Sequence, residues 1–99
     1  MASVNRRLTS ILATDCVGFS SLMEKDEEKT LENLKACRSI IDPYIEEFGG
    51  KIFYTAGDSV IAEFASPVSC VNAAINFQKA IDQRNKVTAE SSIMTWRVG

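Results

Sequence analysis

The sequence has no histidine, and its three cysteines (Cys16, Cys37 and Cys70) stand far apart with no CxxC pair. A zinc site needs clustered Cys and His ligands, so none is expected. An odd, scattered set of cysteines also argues against a disulfide framework; reduced, partly buried thiols of a cytoplasmic protein are expected instead. There is no 18-residue apolar span, and Arg6-Arg7 lacks the apolar run that would make a secretory signal, so this chain should carry no membrane segment. Positive charge is in short supply too. Eleven basic residues against thirteen acidic ones leave a net charge of −2, with the basic residues scattered, so the footprint of a nucleic-acid binder is missing. No internal repeat, low-complexity tract or domain linker occurs. What is present is 99 residues, 45% hydrophobic and 24% charged, enough for one small domain with a single core.

The chain is organised around Leu8–Leu22 (LTSILATDCVGFSSL). Leu8 to Thr14 reads as a strand that delivers Asp15 to its end, after a polar lead-in at Met1–Arg7. A Gly-containing turn (Cys16-Val17-Gly18-Phe19) follows, and a helix opens at Ser20 or Ser21. Asp26 is placed to cap the next helix, with Glu27 and Glu28 suited to its N-terminal dipole. Leu31, Leu34, Cys37 or Arg38, Ile41, Ile45 and Phe48 recur at three or four residues, giving an apolar stripe. Pro43 interrupts that stripe; one kinked helix is favoured over two with Asp42 as a cap. After Gly49-Gly50, Lys51–Ala56 and Ser59–Phe64 read as a hairpin around Gly57-Asp58, glycine at the first central position suiting a primed turn. Ser66-Pro67 opens a second long helix with Ser66 as cap, and Val68, Val71, Ala74 or Ile75, Gln78 and Ile81 as its buried face. Asn85–Ser92 reads as a polar loop and Ile93–Val98 as the last strand.

The order β-α-β-β-α-β fits an α+β, ferredoxin-like sandwich: an antiparallel sheet with both helices on one face, the first and third strands central neighbours. That topology brings Asp15 and Asp58 to one end of the sheet. Two carboxylates held together repel unless a cation neutralises them. Magnesium takes one or two carboxylates and fills its other positions with water and substrate phosphate. The turn after Asp15 supplies backbone N–H groups where phosphates would lie. The opposite, helix-free face is expected to be partly apolar, carrying residues of the Ile52/Tyr54 or Phe53 set and the Val60 or Ile61 set.

Three separated segments carry a resemblance: TSILATDCVGFSSLMEKDEEKTLENLK, IDPYIEEFGGKIFYTAGDSVIAEFASPVSCVNAAINFQKAIDQRN and MTWRVG. In unbroken order, from about Leu8 to Gly99, the chain resembles the class III adenylate/guanylate cyclase catalytic domain. The resemblance implies a ferredoxin-like core and a homodimer through the sheet face. It implies conversion of a purine nucleoside triphosphate, ATP ahead of GTP, to the 3′,5′-cyclic nucleotide and pyrophosphate, with two Mg²⁺ or Mn²⁺ ions. By position, Asp15 and Asp58 match the family's metal-binding aspartates, and the carbonyl of Cys16 a further metal contact. Val17, Gly18, Phe19 and Ser20 match the turn whose N–H groups hold the triphosphate. Tyr54 stands four residues before the second aspartate, where the family often has a purine-reading lysine; a phenol presents no ammonium, which leaves base choice open. The resemblance also implies that further base-reading and transition-state groups lie beyond Gly99, so the chain reads as the N-terminal portion of the domain, inactive alone. A non-catalytic cyclase-like regulatory, nucleotide-binding or dimerisation module is the alternative, and Tyr54 is the residue that favours it.

Overall fold

The computed structural model describes residues 9–99. Ser10–Cys16 forms β1, Phe19–Lys25 α1, Glu27–Glu47 α2, Lys51–Ala56 β2, Ser59–Phe64 β3, Pro67–Val87 α3 and Trp96–Val98 β4, with a 3₁₀ turn at Glu90–Ser92. The sheet order is β2-β3-β1-β4, and every neighbouring pair is antiparallel. This is the ferredoxin-like arrangement, with β1 and β3 in the middle. The short, alternating β1 suits that central place: Leu12, Thr14 and Cys16 are buried while Ile11 and Ala13 are exposed.

Strand β1 ends later than the sequence reading has it. Asp15 and Cys16 are inside the strand because they pair with Arg97 and Trp96 of β4. Leu8 and the lead-in Met1–Arg7 lie outside the described residues. Helix α1 opens at Phe19, a residue or two before the expected start, since Gly18 (φ 67°) makes the left-handed turn and its carbonyl already accepts from the Leu22 N–H.

Asp26 caps α2 as expected, its Oδ1 accepting from the Lys29 N–H at 3.0 Å. Pro43 sits inside one continuous helix. Asp42 is not a cap; it forms a bidentate ion pair with Arg38 one turn back, at 2.7 and 2.8 Å. The stripe Cys37, Ile41 and Ile45 is fully buried, with Leu34 and Phe48 packed against it. Leu31 is exposed, however, and Thr30 takes the inward position. Its hydroxyl donates to the Leu22 carbonyl at 2.8 Å, tying α1 to α2, a contact that a leucine would forgo.

Ser66 and Pro67 open α3 as expected, with Ser66 Oγ accepting from the Ser69 N–H. Its buried face keeps Ile81 and Ala74 of the expected set but is otherwise shifted. Ala73, Phe77 and Ile81 are buried, Cys70 and Ala74 pack against the core, and Val68, Val71 and Ile75 are exposed. Helical periodicity permits both stripes. The observed one inserts the large Phe77 ring beside small alanines, which let α3 approach α2 and the sheet closely. The helix also continues to Val87 where the sequence suggests a loop, and β4 is only Trp96–Val98. The polar residues there bind backbone. Arg84 donates to the Ser92 carbonyl and to Asn33 Oδ1, and Asn85 donates to the Met94 carbonyl, which holds 93–95 as an extended connector.

The core unites Leu12, Cys16, Val60, Ala62 and Phe64 of the sheet with the α2 and α3 stripes, Met94 and Trp96. On the helix-free face lie Ile11, Ala13 and Asp15 of β1, Ile61 and Glu63 of β3, and Tyr54 of β2, which pairs with Ile61. Of the residues expected there, Tyr54 and Ile61 face out. Val60 turns inward by alternation with Ile61. Ile52 turns inward while Tyr54 faces out, because a register irregularity between them adds Phe53 to β2 and leaves it exposed.

Candidate functional site

Asp15, inside β1, and Asp58, in the β2–β3 turn, reach the same end of the sheet. The β1–β3 register, in which Thr14 pairs with Val60, carries forward to put Asp58 opposite Cys16 and one position beyond Asp15. Asp58 is half-buried, and its Oδ2 accepts from the buried Cys16 N–H at 2.9 Å. This bond links residues 42 apart in sequence and pins the hairpin turn to the end of β1. Asp15 points to the open face, where Oδ1 accepts from Arg97 Nε at 2.8 Å. Arg97 is held there by the ladder: Cys16 pairs with Trp96 on one side of it and Thr14 with Val98 on the other. The Thr14 hydroxyl also donates to the Arg97 carbonyl at 2.6 Å.

The electrostatics report how close these groups are. Burial, then the charge of Asp58, then Cys37 and Asp15, push the Cys16 thiol from 9.0 up to about 11. Arg97 is held above its ordinary value, first by the hydrogen bond with Asp15 and then by its charge, with Asp58 contributing in the same sense. Cys16 is therefore a protonated structural thiol at neutral pH, its Sγ donating weakly to the Val17 carbonyl.

The turn after Asp15 divides its backbone donors. The Val17 N–H is spent on the Thr95 carbonyl at 2.7 Å, so Val17, which the family resemblance implies as a phosphate donor, has no free amide. Gly18, Phe19 and Ser20 form the cap and first residues of α1, which has no side-chain cap. The β2–β3 turn lies against them. Gly57 takes φ 55°, as primed turns require, and the Phe19 ring passes 3.9 Å from where a Gly57 Cβ would be. Tyr54 is half-exposed on β2, facing the same open side as Asp15. A shallow cavity of about 330 Å³ on this face is lined by Ala13, Asp15, Ser59, Ile61, Arg97 and Val98 among others. Arg97 is the one member of this constellation that the sequence reading passes over. The trace it leaves is a lone charge between apolar Trp96 and Val98, and only the β4 register shows that it meets Asp15.

No family model matches the sequence. Among curated proteins it is 39% identical over 98 residues to "Putative adenylate cyclase 3" of Rhizobium meliloti (strain 1021), across 98% of this chain and 17% of that protein. Among solved structures it superposes on an adenylate/guanylate cyclase/hydrolase from Silicibacter pomeroyi with a TM-score of 0.84 and 38% identity, covering 96% of this chain and 56% of that one. The chain belongs to the class III adenylate/guanylate cyclase catalytic-domain family. A bacterial light-regulated adenylyl cyclase shares the fold at a TM-score of 0.85 and 20% identity, over 92% of this chain and 50% of that one. The chain thus spans about half the length of these solved relatives and about a sixth of the curated one.

Two observations test whether Asp15 and Asp58 suit the divalent cations that the family implies. The donors are hard carboxylate oxygens, the kind Mg²⁺ and Mn²⁺ prefer. Each carboxylate also has one oxygen engaged, Oδ2 of Asp58 and Oδ1 of Asp15, and a second one with no hydrogen-bond partner among the described residues. Among the described residues no group of three or more His, Cys, Asp and Glu is gathered for a metal. A two-carboxylate site of this kind leaves its remaining positions to backbone oxygen, water and a ligand's phosphates, which is a fit for magnesium and a poor one for zinc. No helix of the described residues is long and apolar enough to cross a membrane.

Proposed function

We propose that this chain supplies the metal- and triphosphate-binding part of a nucleotidyl cyclase that converts a purine nucleoside triphosphate, ATP in preference to GTP, to the 3′,5′-cyclic nucleotide and pyrophosphate. The observation that carries the reading is the bond from the Cys16 N–H to Asp58, which sets Asp58 beside the strand end that carries Asp15, next to the first residues of α1. The name of the R. meliloti relative supports the preference for ATP. When bound between the aspartates, two divalent cations would offset phosphate charge and favour ionisation of the attacking ribose hydroxyl.

The chain's own part is positional. Asp58, anchored through Oδ2, would present Oδ1 in a fixed direction, and Asp15 would present its oxygens from the neighbouring position, with the Cys16 carbonyl between them. The amides of Gly18, Phe19 and Ser20 would meet phosphate oxygens at the positive end of α1. Tyr54 would offer the purine a ring face and a hydroxyl. The apolar open face, with Ile11, Tyr54 and Ile61, would be covered by a second copy. Turnover is proposed to need the rest of the domain length seen in the relatives, so the 99-residue chain should be orders of magnitude slower than a longer one. The alternative of a non-catalytic binding module rests on Tyr54 at a position where the family often has lysine.

The test is cyclic-nucleotide formation by a chain extended past Gly99 to the length of its solved relatives, with Mn²⁺ or Mg²⁺ and each triphosphate. Asp15→Asn and Asp58→Asn should each lower kcat by at least about 10²-fold, the scale of losing one preorganised electrostatic group. An extended, folded chain that binds triphosphate without any turnover would establish the binding-module reading.

A further inference from the structure

We propose that Arg97 is a resident counter-cation of Asp15, which a divalent metal ion must displace before it gains that carboxylate. The inference deepens the metal-site reading above and rests on it.

The pairing is built into the sheet. Arg97 stands in register with Asp15, and the neighbouring pairs Cys16–Trp96 and Thr14–Val98 fix that register on both sides. The Ala13–Gly99 backbone pair, with bonds of 3.1 and 2.8 Å, extends the ladder beyond it. The guanidinium therefore lies over Asp15 without any loop having to close. It is permanently charged, so no change of pH within the working range of the fold removes it. It opposes a metal ion twice, by occupying Oδ1 and by repelling a second cation beside it, and Asp58 adds to the field that retains it.

The contact is also made to be broken. Only Nε is bonded to Asp15, unlike the two-pronged Arg38–Asp42 pair on α2. The Arg97 side chain is 66% exposed and that of Asp15 39% exposed, so water competes for both groups. An exposed pair of this kind weakens metal binding by a small factor. It spares the site a bare carboxylate pair when metal is scarce. A role confined to fold stability makes a different forecast: loss of Arg97 would lower the melting temperature and leave metal affinity unchanged.

The experiment is a Mn²⁺ titration of the 99-residue chain, followed by the electron paramagnetic resonance signal of free Mn²⁺, for wild type, Arg97→Gln, Arg97→Lys, Asp15→Asn, Asp58→Asn and the Arg97→Gln/Asp15→Asn double variant. Circular dichroism melts confirm that each is folded. Arg97→Gln should bind Mn²⁺ about two- to five-fold more tightly than wild type, the range expected for removing one exposed ion pair. Arg97→Lys, which keeps the charge, should lie between the two. In the double variant the gain should vanish, since the carboxylate for which Arg97 competes is gone. In parallel, the Arg97 Nε–H resonance should move as Mg²⁺ is added to wild type and stay still in Asp15→Asn. If Arg97→Gln binds Mn²⁺ no better than wild type while Asp15→Asn and Asp58→Asn weaken binding, the metal site stands and the counter-cation is refuted. If neither aspartate variant changes Mn²⁺ affinity, the metal reading itself fails and takes this inference with it.

Discussion

Replacing Asp58 separates what its shape does from what its charge does. Its Oδ2 is the acceptor for the Cys16 N–H, and Cys16 is only 2% exposed. In Asp58→Ala that amide loses its partner in a place that water barely reaches. An orphaned buried donor costs about 1–3 kcal/mol. Relief of repulsion between Asp58 and Asp15 works the other way, but Asp15 is already paired with Arg97 and half in solvent, so this offset is small. A net loss of about 2 kcal/mol corresponds to a fall of roughly 8–16 °C in melting temperature for a domain of this size. Asp58→Asn keeps an acceptor oxygen in the same place and gives up only charge assistance, so its loss should stay within about 1 kcal/mol. Thermal and urea unfolding followed by circular dichroism measure both. Mn²⁺ binding should fall alike in the two variants, because each removes the carboxylate charge. Equal destabilisation by Asn and Ala would refute the reasoning, since the charge and not the acceptor would then be holding the turn. An unchanged Asp58→Ala would refute it as well.

The reassigned face of α3 is open to a paired test. Phe77→Ala should cost about 3–5 kcal/mol because it empties a fully buried site, whereas Val71→Ser, on the exposed stripe, should change stability by no more than about 0.5 kcal/mol. A loss at Val71 comparable to that at Phe77 would mean the helix is rotated from the position described. For the cysteines, a disulfide reagent at pH 8 should label Cys70 first and reach Cys16 and Cys37 only on unfolding, since both are buried and burial is the first cause raising each thiol. The folded Cys16 thiol keeps its proton to about 11 while an unfolded one loses it near 9.0, so its contribution to stability is complete below pH 9.0 and disappears as pH rises toward 11. Cys16→Ala should flatten that alkaline fall in unfolding free energy; an unchanged slope would count against the assignment.

Much of this fold is written locally. The caps Asp26 and Ser66, Pro67 at the start of α3, the turn at Gly57-Asp58 and the alternation Val60, Ala62, Phe64 each act over one to four residues, a range a sequence exposes directly. The β-α-β-β-α-β order then implies a sheet whose central strands bring Asp15 and Asp58 to one end, and the family resemblance rests on those same segments. Tertiary structure decided wherever two local patterns were equally good. Helix α3 offers two apolar stripes that share Ile81, and only packing against α2 and the sheet chooses Ala73 and Phe77 over Val68, Val71 and Ile75. Thr30 takes an inward place from Leu31 because a carbonyl of α1 is there to receive its hydroxyl. Polar residues near the end of α3 look like a loop until the 93–95 backbone supplies partners for Arg84 and Asn85. At the site, the fate of the Val17 amide and the meeting of Arg97 with Asp15 both depend on the register of β4. That register is set by pairing between segments about 80 residues apart, and no local spacing encodes it.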